Sequence, residues 1–108
     1  MASTRVRTTI KDEGRHFARQ THAYAEYRVF SQLVAAGSQG DVTVALTRLD
    51  GDGPEPLVRC EIAVNVLARE VARVRAVGPH PHAAIDQAAA LVGEAVRGLA
   101  ARRLPAGK

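Results

Sequence analysis

Tryptophan is absent from this 108-residue chain, and phenylalanine and tyrosine contribute two residues each. A core must therefore be built from aliphatic side chains, chiefly Val, Leu, Ile and Ala. One cysteine, Cys60, excludes an intrachain disulfide and a four-cysteine zinc site. No apolar run approaches the ~20 residues that a membrane-spanning helix needs. The opening M-A-S-T-R-V-R has no apolar stretch behind its charges, so no secretory signal is expected. The expectation is a reduced, cytoplasmic protein that does not enter the membrane, with room for one domain over residues 1–108.

Catalytic signatures are also lacking. No glycine-rich phosphate loop, dinucleotide fingerprint or nucleophile–base arrangement occurs, and no cofactor or small-molecule substrate is expected. Asp50, Asp52 and Glu61 fall at positions one, three and twelve of a calcium-loop frame. Glu55 stands where that loop requires glycine, and Pro54 and Pro56 interrupt it, so a turn explains the residues better. His80 and His82 form an H-x-H pair, but no third ligand has metal-site spacing. No metal site is expected. His16 and His22 are expected in solvent at the first loop. Cys60 alternates with valines and reads as an inert buried thiol.

What the chain does have is arginine: 15 Lys plus Arg against 11 Asp plus Glu, for a formal charge of +4. All but Lys11 and Lys108 of those cations are Arg, the better group for phosphate and for stacking on bases. The balance hints at a polyanionic partner, and an ordinary charge excess on a soluble protein, with arginine use set by codon bias, explains it equally well.

The clearest period runs from Gly78 to Leu99. Ile85, Ala88, Ala89, Val92, Val96 and Leu99 recur on one helical face, while Asp86, Gln87, Glu94 and Arg97 fall mostly on the other. Pro81 suits the first helical turn, and Arg97, Arg102 and Arg103 lie toward the negative end of the helix dipole. Before it, Arg5–Ile10 alternates as a strand, and residues 11–20 read as a loop. A first helix is expected over 21–36, with Thr21 as its N-cap, Gly37 as its terminating glycine, and Ala23, Tyr27, Phe30, Leu33 and Val34 inward. Strands are expected at 41–49, 57–66 and 71–77, with a dense turn signal at 50–56. Short connections make the last three an antiparallel meander. The order β-α-β-β-β-α predicts an α+β two-layer sandwich: a mostly antiparallel four-stranded sheet with both helices on one face. Alternation then places Arg59, Arg73 and Arg75, with Arg5 and Arg7, on the polar face.

G-P-H at 78–80 also occurs in double-stranded RNA-binding domains, but there it lies in an early strand connection rather than before the last helix. A better match comes from V-R-A-V-G-P-H-P-H-A-A-I-D-Q-A-A-A-L-V-G-E-A-V-R (74–97), with Ala84-Ile85-Asp86 and Ala88 at its centre. This stretch resembles the last strand and helix of the ribosome hibernation-promoting factor family, which includes ribosome-associated inhibitor A and is also known as sigma-54 modulation protein. A-Y-A-E-Y-R-V-F-S-Q-L (23–33) is similar to that family's first helix, and the element order is the family's. His82 stands where the family usually carries an aromatic residue. The chain stops at Lys108, which the resemblance equates with a short form.

The resemblance implies a partner and a role: a stress factor on the small ribosomal subunit, in the mRNA and tRNA channel, blocking translation by occupancy. The cations it nominates for rRNA phosphate are Arg28 on the first helix, Arg73 and Arg75 on the last strand, and Arg97, Arg102 and Arg103 on the last helix. Plainer explanations exist for five of them: cations suit a helix C-terminus at Arg97, Arg102 and Arg103, and a solvated strand face at Arg73 and Arg75. Two other readings stay open: a structured-RNA-binding domain acting off the ribosome, and a protein-interaction or regulatory adaptor.

Overall fold

A computed structural model describes residues 6–50, 53 and 56–103, with side chains described to residue 99. The elements are β1 (Val6–Asp12), α1 (Arg19–Ala35), β2 (Gly40–Leu49), β3 (Leu57–Val66), β4 (Arg69–Gly78) and α2 (Pro81–Arg103). The strands form one sheet in the order β1-β2-β3-β4. β1 runs parallel to β2, and the other neighbours are antiparallel. This is the α+β arrangement that the element order predicts, with a mixed sheet.

Strict alternation explains why one sheet face is dry. Val42, Val44 and Leu46 on β2 pair across to Val64, Ile62 and Cys60 on β3, and all six are buried. Ala72, Val74 and Ala76 on β4 continue the same layer. The α2 stripe of Ala84, Ile85, Ala88, Ala89, Val92 and Val96 closes over it, each residue buried. With almost no aromatic side chain in the core, close approach replaces bulk. At the end of β4 a Cβ on Gly78 would meet Ala84 N at 2.9 Å, so strand and helix touch there through backbone.

Gly37 does end α1 as the sequence predicts. It sits at φ +70°, its N–H donates to Val34 O, and Ser38 N–H donates to Leu33 O, the two bonds of a Schellman motif. The start of α1 is a correction. The helix begins at Arg19 with Ala18 at the N-cap, not at Thr21. The preceding residues are not a plain loop either: β1 continues to Asp12, and a single 3-10 turn covers Glu13–Arg15.

The α1 face is a second correction. Ala25, Val29 and Leu33 are buried, whereas Tyr27 is 66% exposed, Phe30 45% and Val34 39%. The helix is wedged against α2 as well as the sheet, and that double contact selects the side carrying Ala25 and Val29. Phe30 and Tyr27 are turned out beyond β1.

Between β3 and β4, Leu67 and Ala68 both have positive φ, 54° and 62°. The two-residue hairpin requires it, although neither residue is glycine or asparagine. Arg5 and most of the turn at 50–56 lie outside the described residues.

Candidate nucleic-acid interface

The nominated cations fall on three surfaces. The first is the junction of the helices. Asp86, on the outer side of α2, accepts the Tyr24 hydroxyl at 2.5 Å and Arg28 Nε at 3.0 Å on the same oxygen. The Tyr24 ring also packs on His82, with centroids 4.2 Å apart. The hydrogen bond to Asp86 raises the Tyr24 pKa above its usual 10.0, since ionising the phenol would set two anions together. Arg28 is therefore a tie between helices, with about a third of its side chain, 32%, left to solvent. His80 caps α2 by accepting the Ala83 N–H on Nδ1 at 3.3 Å. The two histidines of the H-x-H pair thus hold separate structural positions.

The second surface is the outer face of the sheet. Arg73 and Arg75 project from it on alternate β4 positions, and Glu61 on β3 lies directly opposite Arg75. Glu61 Oε2 accepts both Arg73 Nη1 and Arg75 Nη2 at 3.2 Å. Arg73 is held again by Glu70, with Nη2 to Oε1 at 2.6 Å. Bonding to Arg75, against some desolvation and with help from Arg73, holds the Glu61 carboxyl below its ordinary range. Arg73 in turn keps Glu70 low and is itself pushed up by Glu70 and Glu61. Arg59 and Lys11 share this face and make no ion pair among the described residues. Arg7 stands 4.0 Å from Asp41, with both side chains largely exposed.

The third surface is the outer side of α2. Arg97 is exposed and makes no ion pair among the described residues. Arg102 and Arg103 lie in the same helix, which extends to Arg103; their side chains are outside the described residues.

The end of β1 holds a group that sequence reading assigned no role. The Asp12 side chain is only 4% exposed. Its carboxylate accepts the N–H groups of His16 and Phe17, both at 3.0 Å, and His22 Nε2 at 2.9 Å. Burial pushes this carboxyl up, but the bonds from His22, Phe17 and His16 outweigh that and hold it below its usual 3.8. His22 is thus half-buried and bonded rather than free in solvent. Cys60 is buried as the alternation predicts, and desolvation pushes its thiol up to about 12.

Among the described residues, no group of three His, Cys, Asp or Glu could hold a metal ion, and no helix is long and apolar enough to cross a membrane. The candidate interface is a set of cations on a scaffold of mixed sheet and two helices.

That scaffold is similar to a solved one. The fold superposes on the crystal structure of the Thermus thermophilus Protein Y N-terminal domain with a TM-score of 0.67. The likeness covers 89% of this chain and 99% of that one, at 19% identity. A minor lipoprotein from Acinetobacter baumannii is more distant, with a TM-score of 0.44 at 15% identity over 94% of this chain and 96% of that one. No family model and no curated relative matches the sequence.

Proposed function

We propose that this chain is a ribosome-associated hibernation factor, one that sits in the mRNA and tRNA channel of the small subunit and stops translation by occupying it. The observation that carries the reading is the fold likeness to nearly the whole Protein Y N-terminal domain. The sequence resemblance points to the same family as that neighbour. The A-I-D segment that carries the resemblance is also where the helices are locked, through Asp86 to Tyr24 and Arg28. His82 packs on Tyr24 and so fills the family's aromatic position with a ring.

Such a protein needs no catalytic group. It needs cations on several sides, because an RNA-walled cleft presents phosphate on several sides, and phosphate contact positions without reading sequence. The four nominated arginines whose side chains are described differ in how free they are to serve. A phosphate approaching Arg73 or Arg75 must share them with Glu61 and Glu70, and Arg28 is shared with Asp86. We assign the larger part of the affinity to α2, through Arg97, Arg102 and Arg103.

The test is sucrose-gradient sedimentation of the protein with small subunits at physiological salt. Changing Arg97, Arg102 and Arg103 together to Glu should abolish co-sedimentation and leave unfolding cooperative, with a loss of roughly 0.3–1 kcal/mol per site from the helix-dipole interaction. A folded variant that still pellets, with the same salt response, would remove α2 from the interface and leave the sheet face. A wild-type protein absent from ribosomal fractions of starved cells would sink the ribosomal reading. Equal affinity for isolated RNA hairpins would favour an RNA-binding role off the ribosome, and a protein partner retained after nuclease treatment would favour an adaptor.

A further inference from the structure

β1 is an edge strand, with β2 on one side and no backbone partner on the other among the described residues. Beneath that open edge α1 turns outward the side that the core rejected. Val6, Thr8, Ala23, Glu26, Tyr27 and Phe30 line a shallow groove of about 440 Å³. It continues past Phe30 toward Val66 and the fully exposed Leu67 at the β3–β4 hairpin. An unpaired main-chain edge beside an apolar groove is the pair of features that strand addition uses: the edge supplies hydrogen bonds, and the groove takes every second side chain.

We propose that this edge accepts an extended segment of a partner protein whose residues alternate between apolar and acidic. The apolar positions face inward, where an added strand would set them over Val6, Tyr27 and Phe30. The acidic positions face outward, opposite Arg7 and Lys11, the exposed charges of β1. Arg7 is available for this, since its only acidic neighbour among the described residues is Asp41 at 4.0 Å, 84% and 70% exposed respectively.

A second copy of this chain fits the edge poorly. Pairing β1 with itself antiparallel about Thr9 sets Arg7 against Lys11 twice, and pairing it parallel sets each cation beside its own copy; like charges directly opposite are destabilising. The same two cations that attract an acidic strand therefore keep the edge from closing on itself.

Titration of the isotopically labelled full chain followed by NMR tests the proposal, with a synthetic octapeptide of alternating Val and Glu as the probe. The expected result is shift changes and slowed amide exchange along β1, with changes at Tyr27 and Phe30. The matched Val and Lys peptide should bind about fivefold or more weakly, as two opposite-charge pairs become like-charge pairs. Tyr27→Asp, at an exposed position that leaves the core intact, should weaken the Val and Glu peptide and leave the rest of the spectrum unchanged. No change at β1 with millimolar peptide overturns the proposal, as does equal binding of the two peptides. It is also overturned if protein concentration alone produces the β1 changes, which would mean self-association, or if oligouridylate perturbs Tyr27 and Phe30 and the peptide does not. Ribosome sedimentation is read separately and decides nothing here.

Discussion

Asp86→Ala should show how much of the helix pairing rests on one carboxylate. Two donors converge on Oδ1: the Tyr24 hydroxyl at 2.5 Å and Arg28 Nε at 3.0 Å. A hydrogen bond to a charged group contributes about 1.5–3 kcal/mol in mutational series. The Asp86 side chain is 48% exposed, so the lower end applies to Tyr24. The Arg28 pair, 32% and 48% exposed, behaves more like a surface ion pair, at about 0.5 kcal/mol. The sum is about 2 kcal/mol, which for a chain of this size lowers the Tm by about 8–12 °C. Urea unfolding followed by far-UV circular dichroism measures it. Asp86→Asn, which keeps an acceptor and loses the charge, should cost about half as much. A double-mutant cycle separates the donors: Tyr24→Phe should couple to Asp86→Ala by about 1 kcal/mol, and Arg28→Gln by less.

A pH signature accompanies this. The folded Tyr24 pKa lies above 10.0, so the proton is held more tightly in the folded state. The associated stability is complete below pH 10 and is lost as pH rises through the folded value; in Asp86→Ala the phenol should titrate closer to 10.0. A loss under about 0.5 kcal/mol for Asp86→Ala, or a Tyr24–Asp86 cycle without coupling, would refute the tie.

Two glycines should respond in opposite directions to alanine. Gly78→Ala drives a Cβ to 2.9 Å from Ala84 N and should destabilise by about 1–3 kcal/mol, whereas Gly98→Ala meets nothing within 4 Å and should stabilise α2 by up to about 1 kcal/mol; thermal unfolding separates them. Replacing Leu67-Ala68 by Asn-Gly relieves two positive-φ residues and should raise stability by about 1 kcal/mol or more; an unchanged urea midpoint would mean the hairpin is not as described. Cys60 should label with a neutral-pH thiol reagent only at the rate of global unfolding, and rapid labelling would show a strand register shifted by one. Asp12→Asn should flatten the acid limb of the stability curve, since the wild-type contribution is present above pH 3.8 and is lost as pH falls through the lowered folded value.

How far such features could be read in the sequence depends on the distance over which each is decided. Each strand carries its own period of two, so the dry and wet faces were readable; the pairing of Glu61 with Arg75 was not, because a two-residue turn at 67–68 alone would set Val74 opposite Glu61, and the register shift between Val64 and Asn65 brings Arg75 there instead. The α2 stripe was equally plain, because its apolar residues keep one helical spacing along the whole segment. The α1 face was misread because the helical spacing through Ala23, Tyr27, Phe30, Leu33 and Val34 was followed, and of these only Leu33 is buried. Tyr27 and Phe30 are large, but a helix that must touch both a sheet and another helix buries whichever side fits both, and here that side includes Ala25 and Val29. The bonds made by Asp12 and Asp86 were invisible for a related reason. Asp12 is recognised by backbone N–H groups, which leave no mark in side-chain pattern, and Asp86 is recognised by residues about sixty positions earlier in the chain.

The ion pairs also change what the basic composition means for function. Counting cations treats every arginine as equally available, yet Arg73 and Arg75 sit on one shared glutamate, with a second on Arg73. When RNA phosphate takes such an arginine, a carboxylate loses its partner and stays close to the incoming charge, so the net gain is smaller than for an unpaired cation. Counterion release follows the same logic. Each phosphate neutralised by an unpaired cation steepens the dependence of log K on log salt by about 0.7–0.9. A cation already neutralised by a carboxylate contributes less. If α2 carries the interface, removing its three arginines should flatten that dependence by about two units or more, and Arg73→Gln with Arg75→Gln should flatten it by less than one. On the proposed ribosomal reading the sheet then acts mainly as a rigid frame, because Glu61 and Glu70 already occupy its arginines.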